Sequence, residues 1–232
     1  MATNPAGADA RQALLMIWTD IPADVEHDFN DWYNREHIRE RVEVPGFIRA
    51  RRFAALSGSP KYLALYEARN ADVMRSEPYM RFKRTRDERT LRFTRLFRDT
   101  IKATCDVALR AGNGEGAFLV ALPVAVDSAR GAAFADWLRD DLFPRIAQAP
   151  NIAAATYAEH NGGTREAAAA HDVRSGDRHV DNVLLIEATS EHGVSTAIAA
   201  LNGANLASHG AIPQIVSEPC VFRVLYSLHA LK

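Results

Sequence analysis

The stretch FNDWYNREHIRERVEVPGF (residues 29–47) decides the fold, because the chain contains a second version of it. Residues 134–152 read FADWLRDDLFPRIAQAPNI and align with the first stretch without a gap. The residues that keep their places are a phenylalanine, a tryptophan and a proline: Phe29 and Phe134, Trp32 and Trp137, Pro45 and Pro150. Aromatic residues pack and a proline marks a turn, so the alignment predicts an internal structural repeat.

The sequence around the first stretch predicts a βαββαβ unit. An apolar run at 13–20 predicts a strand, and a helix follows from about residue 24 to 42, before Pro45-Gly46. The remaining predicted elements are strands at 47–56 and 61–68, a helical region at 71–99 and a closing strand at 101–109. Because apolar and basic residues alternate in the strand at 47–56, we expect it to be half exposed.

The same order of elements starts again after the segment AGNGEG (111–116). The second set comprises predicted strands at 117–126, 151–160, 180–188 and 221–228, and predicted helices at 128–149 and 190–205. Residues 161–179 are interpreted as a long hairpin loop. Pro144 lies inside the first of these helices and is expected to kink or shorten it.

Two such units predict an α+β fold. A βαββαβ unit gives an antiparallel sheet with both helices on one face, the ferredoxin-like plait, and leaves the other sheet face apolar. We therefore expect the two antiparallel sheets to pack into an intramolecular α+β barrel. The predicted organisation is a disordered lead (1–12), a first ferredoxin-like repeat with the working site (13–110), a linker (111–116) and a second, mainly structural repeat (117–232).

Composition and charge argue against several classes of function. The chain has 232 residues, 47% hydrophobic and 25% charged, and a net charge of −1, so no strong field directs it to nucleic acid or membrane. The basic stretch at 81–102 is interpreted as a solvated helix face. Cys105 and Cys220 fit neither a disulfide framework nor a metal-site spacing. We expect a cytoplasmic protein without a secretory signal, and a homodimer is compatible with this pattern.

The sequence resembles the EthD-like branch of the dimeric α+β barrel superfamily. The resemblance rests on FNDWYNREHIRERVEVPGFIRARRF (29–53), KYLALYEA (61–68) and SEPY (76–79). The branch carries an aromatic pair and a histidine on the first helix; the histidine corresponds to His37, whereas Leu142 stands there in the second repeat. The superfamily includes cofactor-free monooxygenases, polyketide cyclases, lactone isomerases and haem enzymes, so the resemblance leaves the activity open.

The first predicted helix carries the candidate chemistry. Tyr33, His37 and Arg41 follow one stripe of the helix at four-residue spacing, and Trp32 and Glu36 share the adjacent face. We expect the histidine at the rim of a cleft between helix and sheet, where a neutral imidazole exchanges a proton near pH 7. From residue type alone, a surface histidine beside a glutamate is the alternative interpretation.

The second and third strands add arginine and tyrosine candidates. Arg49 and Arg51 share one face of their strand and Arg52 the other; we expect Arg52 to be buried and the other two to face solvent. An inward arginine could hold a carboxylate or enolate oxygen. Tyr66 is expected to donate a hydrogen bond to an oxyanion or, alternatively, only to fill the core. Tyr79 is expected to line the mouth of the site.

The two copies differ at the candidate site. Their differing residues are Tyr33, Glu36 and His37 in the first copy and Leu138, Asp141 and Leu142 in the second. This difference suggests one working pocket and one structural half, although random drift of a surface face is an alternative. We expect a larger, more polar pocket around His37, and a second-half cleft filled by Leu138, Leu142 and Phe143.

Together these residues predict a cofactor-free small-molecule enzyme of the isomerase, cyclase or lyase type. His37 transfers a proton next to a carbonyl group, and Tyr66 or Arg52 stabilises the oxyanion. Glu36 or Tyr33 orients the imidazole. The residues assigned to bind an apolar, aromatic or polyketide-like substrate are Trp32, Tyr33, Glu36, Arg41 and Tyr79.

Two other functions stay open at this point. The chain could be a non-catalytic binding protein for an apolar ligand, or a haem-dependent or cofactor-free oxygenase. We predict no metal site and no organic cofactor, because neither a metal-ligand spacing nor a nucleotide-binding loop is recognisable in the sequence.

Overall fold

The computed structural model describes residues 11–161 and 175–231 of the chain. The expected disordered lead lies outside these residues apart from Arg11 and Gln12, as does most of the expected hairpin loop at 161–179. The strands are β1 (Ala13–Asp20), β2 (Phe47–Ser57), β3 (Tyr62–Ala68), β4 (Arg98–Ala111), β5 (Phe118–Val126), β6 (Ile152–His160), β7 (Arg178–His179), β8 (Asn182–Ala188), β9 (Ala211–Pro213) and β10 (Cys220–His229).

The helices occupy the connections that the sequence predicts. They are α1 (Glu26–Trp32), α2 (Ile38–Val42), α3 (Glu77–Arg84), α4 (Glu88–Leu96), α5 (Gly131–Trp137), α6 (Phe143–Gln148) and α7 (Glu191–Gly203). The long helical region expected at 71–99 is divided into a 3-10 turn, α3 and α4. No helix within the described ranges is long and apolar enough to cross a membrane.

Antiparallel pairing closes eight strands into a barrel, in the order β1, β3, β2, β10, β5, β8, β6, β4 and back to β1. Each repeat contributes four neighbouring strands, and the two sheets join where β2 pairs with β10 and β4 pairs with β6. The predicted α+β barrel of two ferredoxin-like repeats is confirmed. The short strands β7 and β9, which pair with β4 and β5, are too brief to show in the sequence pattern.

Apolar side chains form three clusters, one inside the barrel and one between the helices and the sheet in each half. The strands β3 and β8 are covered on both faces, and all their residues are buried. Representative side chains are Met16, Phe53 and Phe222 inside the barrel, Phe29, Trp32 and Phe93 in the first helical layer, and Phe134, Leu138 and Ile186 in the second.

The first helix of each half contains a π-helical turn. In the first half this turn spans Tyr33–His37 between α1 and α2, and the N–H of Ile38 donates to the carbonyl of Tyr33. In the second half it spans Leu138–Leu142 between α5 and α6. The expected interruption near Pro144 therefore has another cause, because the first half makes the same turn with Arg39 at that place.

An ion-pair network lies inside the barrel. Arg49 and Arg51 are only 6% and 3% exposed, so the expectation that they face solvent is wrong, since the second repeat covers this face of β2. Arg51 donates from both terminal nitrogens to Glu187 of β8, at 2.8 and 2.9 Å. Arg49 donates from Nε to Glu67 of β3 at 2.7 Å. The network therefore joins the two repeats through side chains as well as through the sheet.

Glu187 is the acceptor at the centre of this network. Burial alone would raise the pKa of its carboxyl group, but the hydrogen bonds and charge of Arg51, the Gly116 N–H and Arg110 together lower it. The Gly116 N–H donates to Glu187 at 2.9 Å, so the linker between the repeats is held by the same carboxylate. A buried ion pair of this kind costs desolvation, and it is stabilising only while both partners remain.

We expect Arg51→Met to lower the free energy of unfolding by about 3–5 kcal/mol, because Glu187 is left buried without its partner. The pKa of Glu187 is lowered in the folded protein, so its contribution to stability is present above about 4.5 and is lost as the pH falls. In the variant, only the Gly116 N–H and Arg110 still oppose the effect of burial on the pKa of Glu187, so the loss of stability should shrink as the pH falls and the carboxylate is protonated. Urea unfolding at neutral and acidic pH measures both effects.

Arg139→Met is the matched control, because Arg139 pairs with Asp136 on the surface at 53% and 60% side-chain exposure. We expect it to change the unfolding free energy by less than about 0.5 kcal/mol. Equal losses in the two variants would contradict the role given to the Arg51–Glu187 pair.

Candidate functional site

Five polar side chains converge between the first helix and the sheet in the first half. We call Tyr33, His37, Arg41, Arg52 and Tyr66 the polar cluster. Their exposures are 2%, 5%, 6%, 1% and 0%, respectively. The first three come from the π-helical turn and α2, and the other two come from β2 and β3. Polar groups at this depth are costly unless they are paired, so this arrangement needs a physical explanation.

Two tyrosine hydroxyl groups lie at the centre of the polar cluster. The Oη atoms of Tyr33 and Tyr66 are 3.0 Å apart and share a hydrogen bond. The guanidinium of Arg52 lies 4.1 Å from the ring centre of Tyr33, and that of Arg41 lies 4.5 Å from the ring centre of Tyr66. The hydrogen-bonded hydroxyl pair is thus flanked by two cations that stack on its rings.

Arg52 is buried as expected, and its charge is held without a carboxylate. Its terminal nitrogens donate to the side-chain oxygens of Asn34 at 2.7 Å and Asn30 at 2.9 Å. No carboxylate of the described residues forms an ion pair with it. Burial lowers the pKa of Arg52, although the nearby tyrosines raise it, and an arginine remains protonated in proteins. The site therefore keeps a positive charge that no described acidic group neutralises.

His37 is enclosed by aromatic rings. Its ring centre lies 4.6 Å from that of Trp32, 5.0 Å from that of Tyr33 and 6.1 Å from that of Phe82. The expected position at the rim of a cleft is wrong, because the π-turn brings Trp32 over an imidazole five residues later. In a regular α-helix, residues five apart lie on different faces.

The imidazole of His37 is neutral at pH 7. Burial lowers its pKa well below the usual 6.5, and the charges of Arg41, Arg86 and Arg52 lower it further. The Glu40 carboxylate lies 3.9 Å from Nδ1, too far for a hydrogen bond, and does not reverse this effect. Nδ1 is buried without a hydrogen-bond partner. A neutral imidazole with an unpaired nitrogen can accept a proton from a bound molecule.

Tyr66 is a hydrogen-bond donor at every ordinary pH. Burial raises the pKa of its phenol well above 10, and the neighbouring Tyr33 adds to this effect. The charges of Arg41 and Arg52 act in the opposite direction, yet they do not outweigh burial. The hydroxyl group therefore stays protonated and can donate to an oxygen atom that carries developing negative charge.

The other predicted site residues have different surroundings. Glu36 pairs with Arg89 on the surface, so it does not orient the imidazole. Tyr79 is 2% exposed and lies within the aromatic layer rather than at an open mouth. Trp32 donates from Nε1 to Thr90 at 3.4 Å. The sequence interpretation missed Asn30 and Asn34, although their four-residue spacing is the signal that places both amides over one partner.

The second half replaces the whole polar cluster. Arg52 lies opposite Ala64 and Tyr157 opposite Leu184, so the strand registers of the two halves agree. On this register and the helix alignment, the equivalents of Tyr33, His37, Arg41, Arg52 and Tyr66 are Leu138, Leu142, Ile146, Tyr157 and Ile186. All five equivalents are buried. Four are aliphatic, so the contrast extends well beyond the residues seen in the sequence alignment.

Surface clefts surround the two helical layers. A cleft of about 560 Å³ lies beside Val42, Phe47 and Leu228, and one of about 290 Å³ lies beside Glu40 and Phe82. His37 lines neither, since Phe82 stands between it and the smaller cleft. In the second half a cleft of about 260 Å³ reaches Leu142. Leu138, Leu142 and Phe143 are buried as expected, but they do not fill that cleft completely. Among these clefts Leu142 lines one and His37 lines none, so they contradict the expected larger, more polar pocket around His37.

The described packing leaves His37 enclosed, because Trp32 stacks on the imidazole, Tyr33 and Phe82 lie beside it, and Nδ1 is buried. Haem ligation by His37 would therefore require one of these rings to move. Among the described residues, no group of three or more histidine, cysteine, aspartate or glutamate side chains is placed to hold a metal ion.

No protein-family model matches the chain, and no curated protein matches it. Solved structures match over nearly its whole length. An anthrone oxidase-like protein is 12% identical with a TM-score of 0.62, covering 97% of this chain and 95% of that one. A monooxygenase candidate from Fusobacterium nucleatum is 8% identical with a TM-score of 0.60, covering 96% of each.

A chlorite dismutase candidate is 14% identical with a TM-score of 0.59, covering 94% of this chain and 96% of that one. Structural similarity at identities this low shows the α+β barrel fold alone, so the chemistry has to be argued from the site itself. Membership of the EthD-like branch stays a prediction.

We expect the unfolding free energy of the wild type to fall more steeply than that of His37→Gln as the pH drops below 6.5. The unfolded chain then binds a proton on His37 that the folded chain does not, which costs about 1.4 kcal/mol per pH unit. Urea unfolding across this range measures the slopes, and nitrogen-15 spectra should show a neutral imidazole in the folded wild type. Identical slopes would contradict the buried, neutral His37.

Leu142→Gln should lower the unfolding free energy by about 1–3 kcal/mol, because its amide enters an apolar layer without partners. Leu142→Met, which keeps the apolar character and volume, should cost less than about 1.5 kcal/mol. Thermal and urea unfolding compare the two variants. Equal stability of both would mean that the second helical layer tolerates a polar group.

Proposed function

We propose that this chain is a small-molecule enzyme that removes a proton from an aromatic or polyketide-like carbonyl compound at the polar cluster. The observation that carries the proposal is the difference between the polar cluster of the first half and the equivalent positions of the second half. Five converging polar side chains in one half stand where the other half has four aliphatic residues and a tyrosine. The second half packs the equivalent positions mainly with aliphatic side chains, so packing alone does not require the polar side chains of the first half.

His37 is the proposed base. Its imidazole is neutral, its Nδ1 has no hydrogen-bond partner, and it lies beside two buried cations. Proton transfer turns the imidazole into a cation and the substrate carbonyl into an enolate, so the products are an ion pair. The arginines that lower the pKa of His37 also stabilise the enolate, and they favour transfer when the carbonyl oxygen lies against them.

Tyr66 and Arg52 are the proposed oxyanion donors. Both are held rigidly: Tyr66 by Tyr33, and Arg52 by two asparagine amides. Donors that are already oriented need little reorganisation when negative charge develops on the substrate oxygen. Tyr33 and Arg41 complete the substrate-binding surface, whereas Glu36 no longer belongs to it because it pairs with Arg89.

Aromatic side chains determine the kind of substrate. Trp32, Tyr79 and Phe82 surround the polar cluster, and Phe82 separates His37 from the surface cleft beside Glu40. A planar apolar molecule could take the place of the Phe82 ring and keep its stacking contacts. An aromatic ring of this layer therefore has to move before a substrate reaches the polar cluster.

Two different reactions can begin with this proton transfer to His37. Return of the proton to another atom gives isomerisation, cyclisation or elimination. The second candidate is a cofactor-free oxygenase, which is supported by the descriptions of an anthrone oxidase-like protein and a monooxygenase candidate among the structures of the same fold. In that reaction O₂ is the oxidant: an acidic ring methylene becomes a carbonyl, one O₂ is consumed and one water is released.

Anthrone tests the proposal, because the carbonyl group acidifies its ring methylene. We expect the wild type to accelerate exchange of the methylene protons for deuterium, followed by proton NMR under nitrogen. His37→Gln should lower this rate by about 100- to 10,000-fold. Tyr66→Phe should lower it by a smaller factor, because one oxyanion donor is lost. An oxygen electrode then decides whether the enolate reacts with O₂.

Leu142→Gln is the control, since it alters the equivalent position of the second half and should leave the exchange rate nearly unchanged. Full exchange activity in His37→Gln would contradict the proposed base and favour a binding protein. Failure of the wild type to accelerate exchange would contradict proton transfer on this class of ketone.

A further inference from the structure

We propose that the cleft of about 560 Å³ binds a carboxylate group carried by the substrate, an inference that rests on the proposed function. It lies between the end of α2, the start of β2 and the end of β10. We call it the arginine cleft and define it by Arg39, Val42, Phe47, Arg69, Leu228 and Ala230. Its volume falls within the range of small-molecule sites, roughly 300–1,000 Å³.

The charges in the arginine cleft favour an anion. Arg39 and Arg69 are exposed, and neither forms an ion pair or side-chain hydrogen bond with a described residue. His229 also lines the cleft, and Glu43 is the acidic residue among the lining residues. A guanidinium presents its donors as a planar fork that matches a carboxylate, so two unpaired arginines in one cleft favour this group.

The walls of the arginine cleft favour an apolar body behind the carboxylate. Val42, Phe47 and Leu228 supply aliphatic and aromatic surface. The end of β10 is held in place because the Ala230 N–H donates to the carbonyl of Ile48 at 2.9 Å. The ligand that fits both features is an aromatic carboxylate rather than a small inorganic anion.

Phe47 connects the arginine cleft to the polar cluster. Its ring centre lies 6.3 Å from that of Tyr66 and 5.8 Å from that of Tyr79, and Arg41 stacks on both tyrosines. A ligand that displaces or slides past this ring would place its carbonyl end near Tyr66. Its carboxylate would stay in the cleft, where Arg39 and Arg69 hold it and so orient the reacting end.

The second half lacks these cations at equivalent places. The N–H of Arg69 donates to the Gly46 carbonyl at 2.9 Å, and the N–H of Thr189 donates to the Asn151 carbonyl at 2.9 Å. Thr189 therefore takes the place of Arg69, and the helix alignment puts Pro144 in the place of Arg39. The arginines and the polar cluster occur in the same half, as expected of parts of one site.

Titration calorimetry with anthraquinone-2-carboxylate and its carboxamide tests this inference without turnover. We expect the wild type to bind the carboxylate at least about 10-fold more tightly than the carboxamide. Arg39→Gln and Arg69→Gln should each weaken carboxylate binding by about 5- to 20-fold, and the double variant should bind the two probes equally. Glu43→Gln should strengthen carboxylate binding, because it removes the opposing charge.

Arg145→Gln is the matched control, since Arg145 lines the cleft of the second half. It should leave both affinities unchanged. Equal affinities in the wild type, no binding of either probe, or an unchanged double variant would overturn the inference. His37→Gln should keep the carboxylate preference. If the wild type shows this preference but fails the anthrone test, only the proposed function is contradicted and the arginine cleft stands as an anion site.

Discussion

The structure depends on one constraint: each βαββαβ repeat has a sheet face that its own helices do not cover. Placing the two sheets face to face removes both apolar surfaces from water within a single chain. The pairing of β2 with β10 and of β4 with β6 then closes the barrel. Inside it, Arg51 reaches from the first repeat to Glu187 of the second, so apolar packing and a buried ion pair act across the same junction.

Barrel closure decides where a ligand can bind. The interior is filled by side chains such as Met16, Phe53 and Phe222, which leaves the two helical layers and their edges. In the second layer, four of the five positions equivalent to the polar cluster are aliphatic and the fifth is Tyr157. The layer with His37 contains two guanidinium groups and two hydrogen-bonded tyrosines, an arrangement that aromatic stacking makes tolerable but that packing alone does not require.

The sequence by itself determined the architecture. The gapless alignment of residues 29–47 with 134–152 indicates the repeat, and the order of apolar runs indicates βαββαβ twice. The bounds of β1 agree with the expected strand at 13–20, because a short apolar run followed by a turn is a local signal. The same comparison identified Tyr33 and His37 as features of one copy, and strand alternation correctly set Arg52 apart from Arg49 and Arg51.

Only the tertiary structure decided how deeply those residues are buried and which groups surround them. Periodicity separates the two faces of a strand but does not show whether both faces are covered. The sequence pattern therefore predicted that Arg49 and Arg51 face solvent, whereas the second sheet buries them. The π-helical turn carries no clear sequence signal, yet it stacks Trp32 on His37 and buries the imidazole. The low pKa of His37 follows from that burial and from charges on other elements, and such long-range proximity has no counterpart in residue spacing.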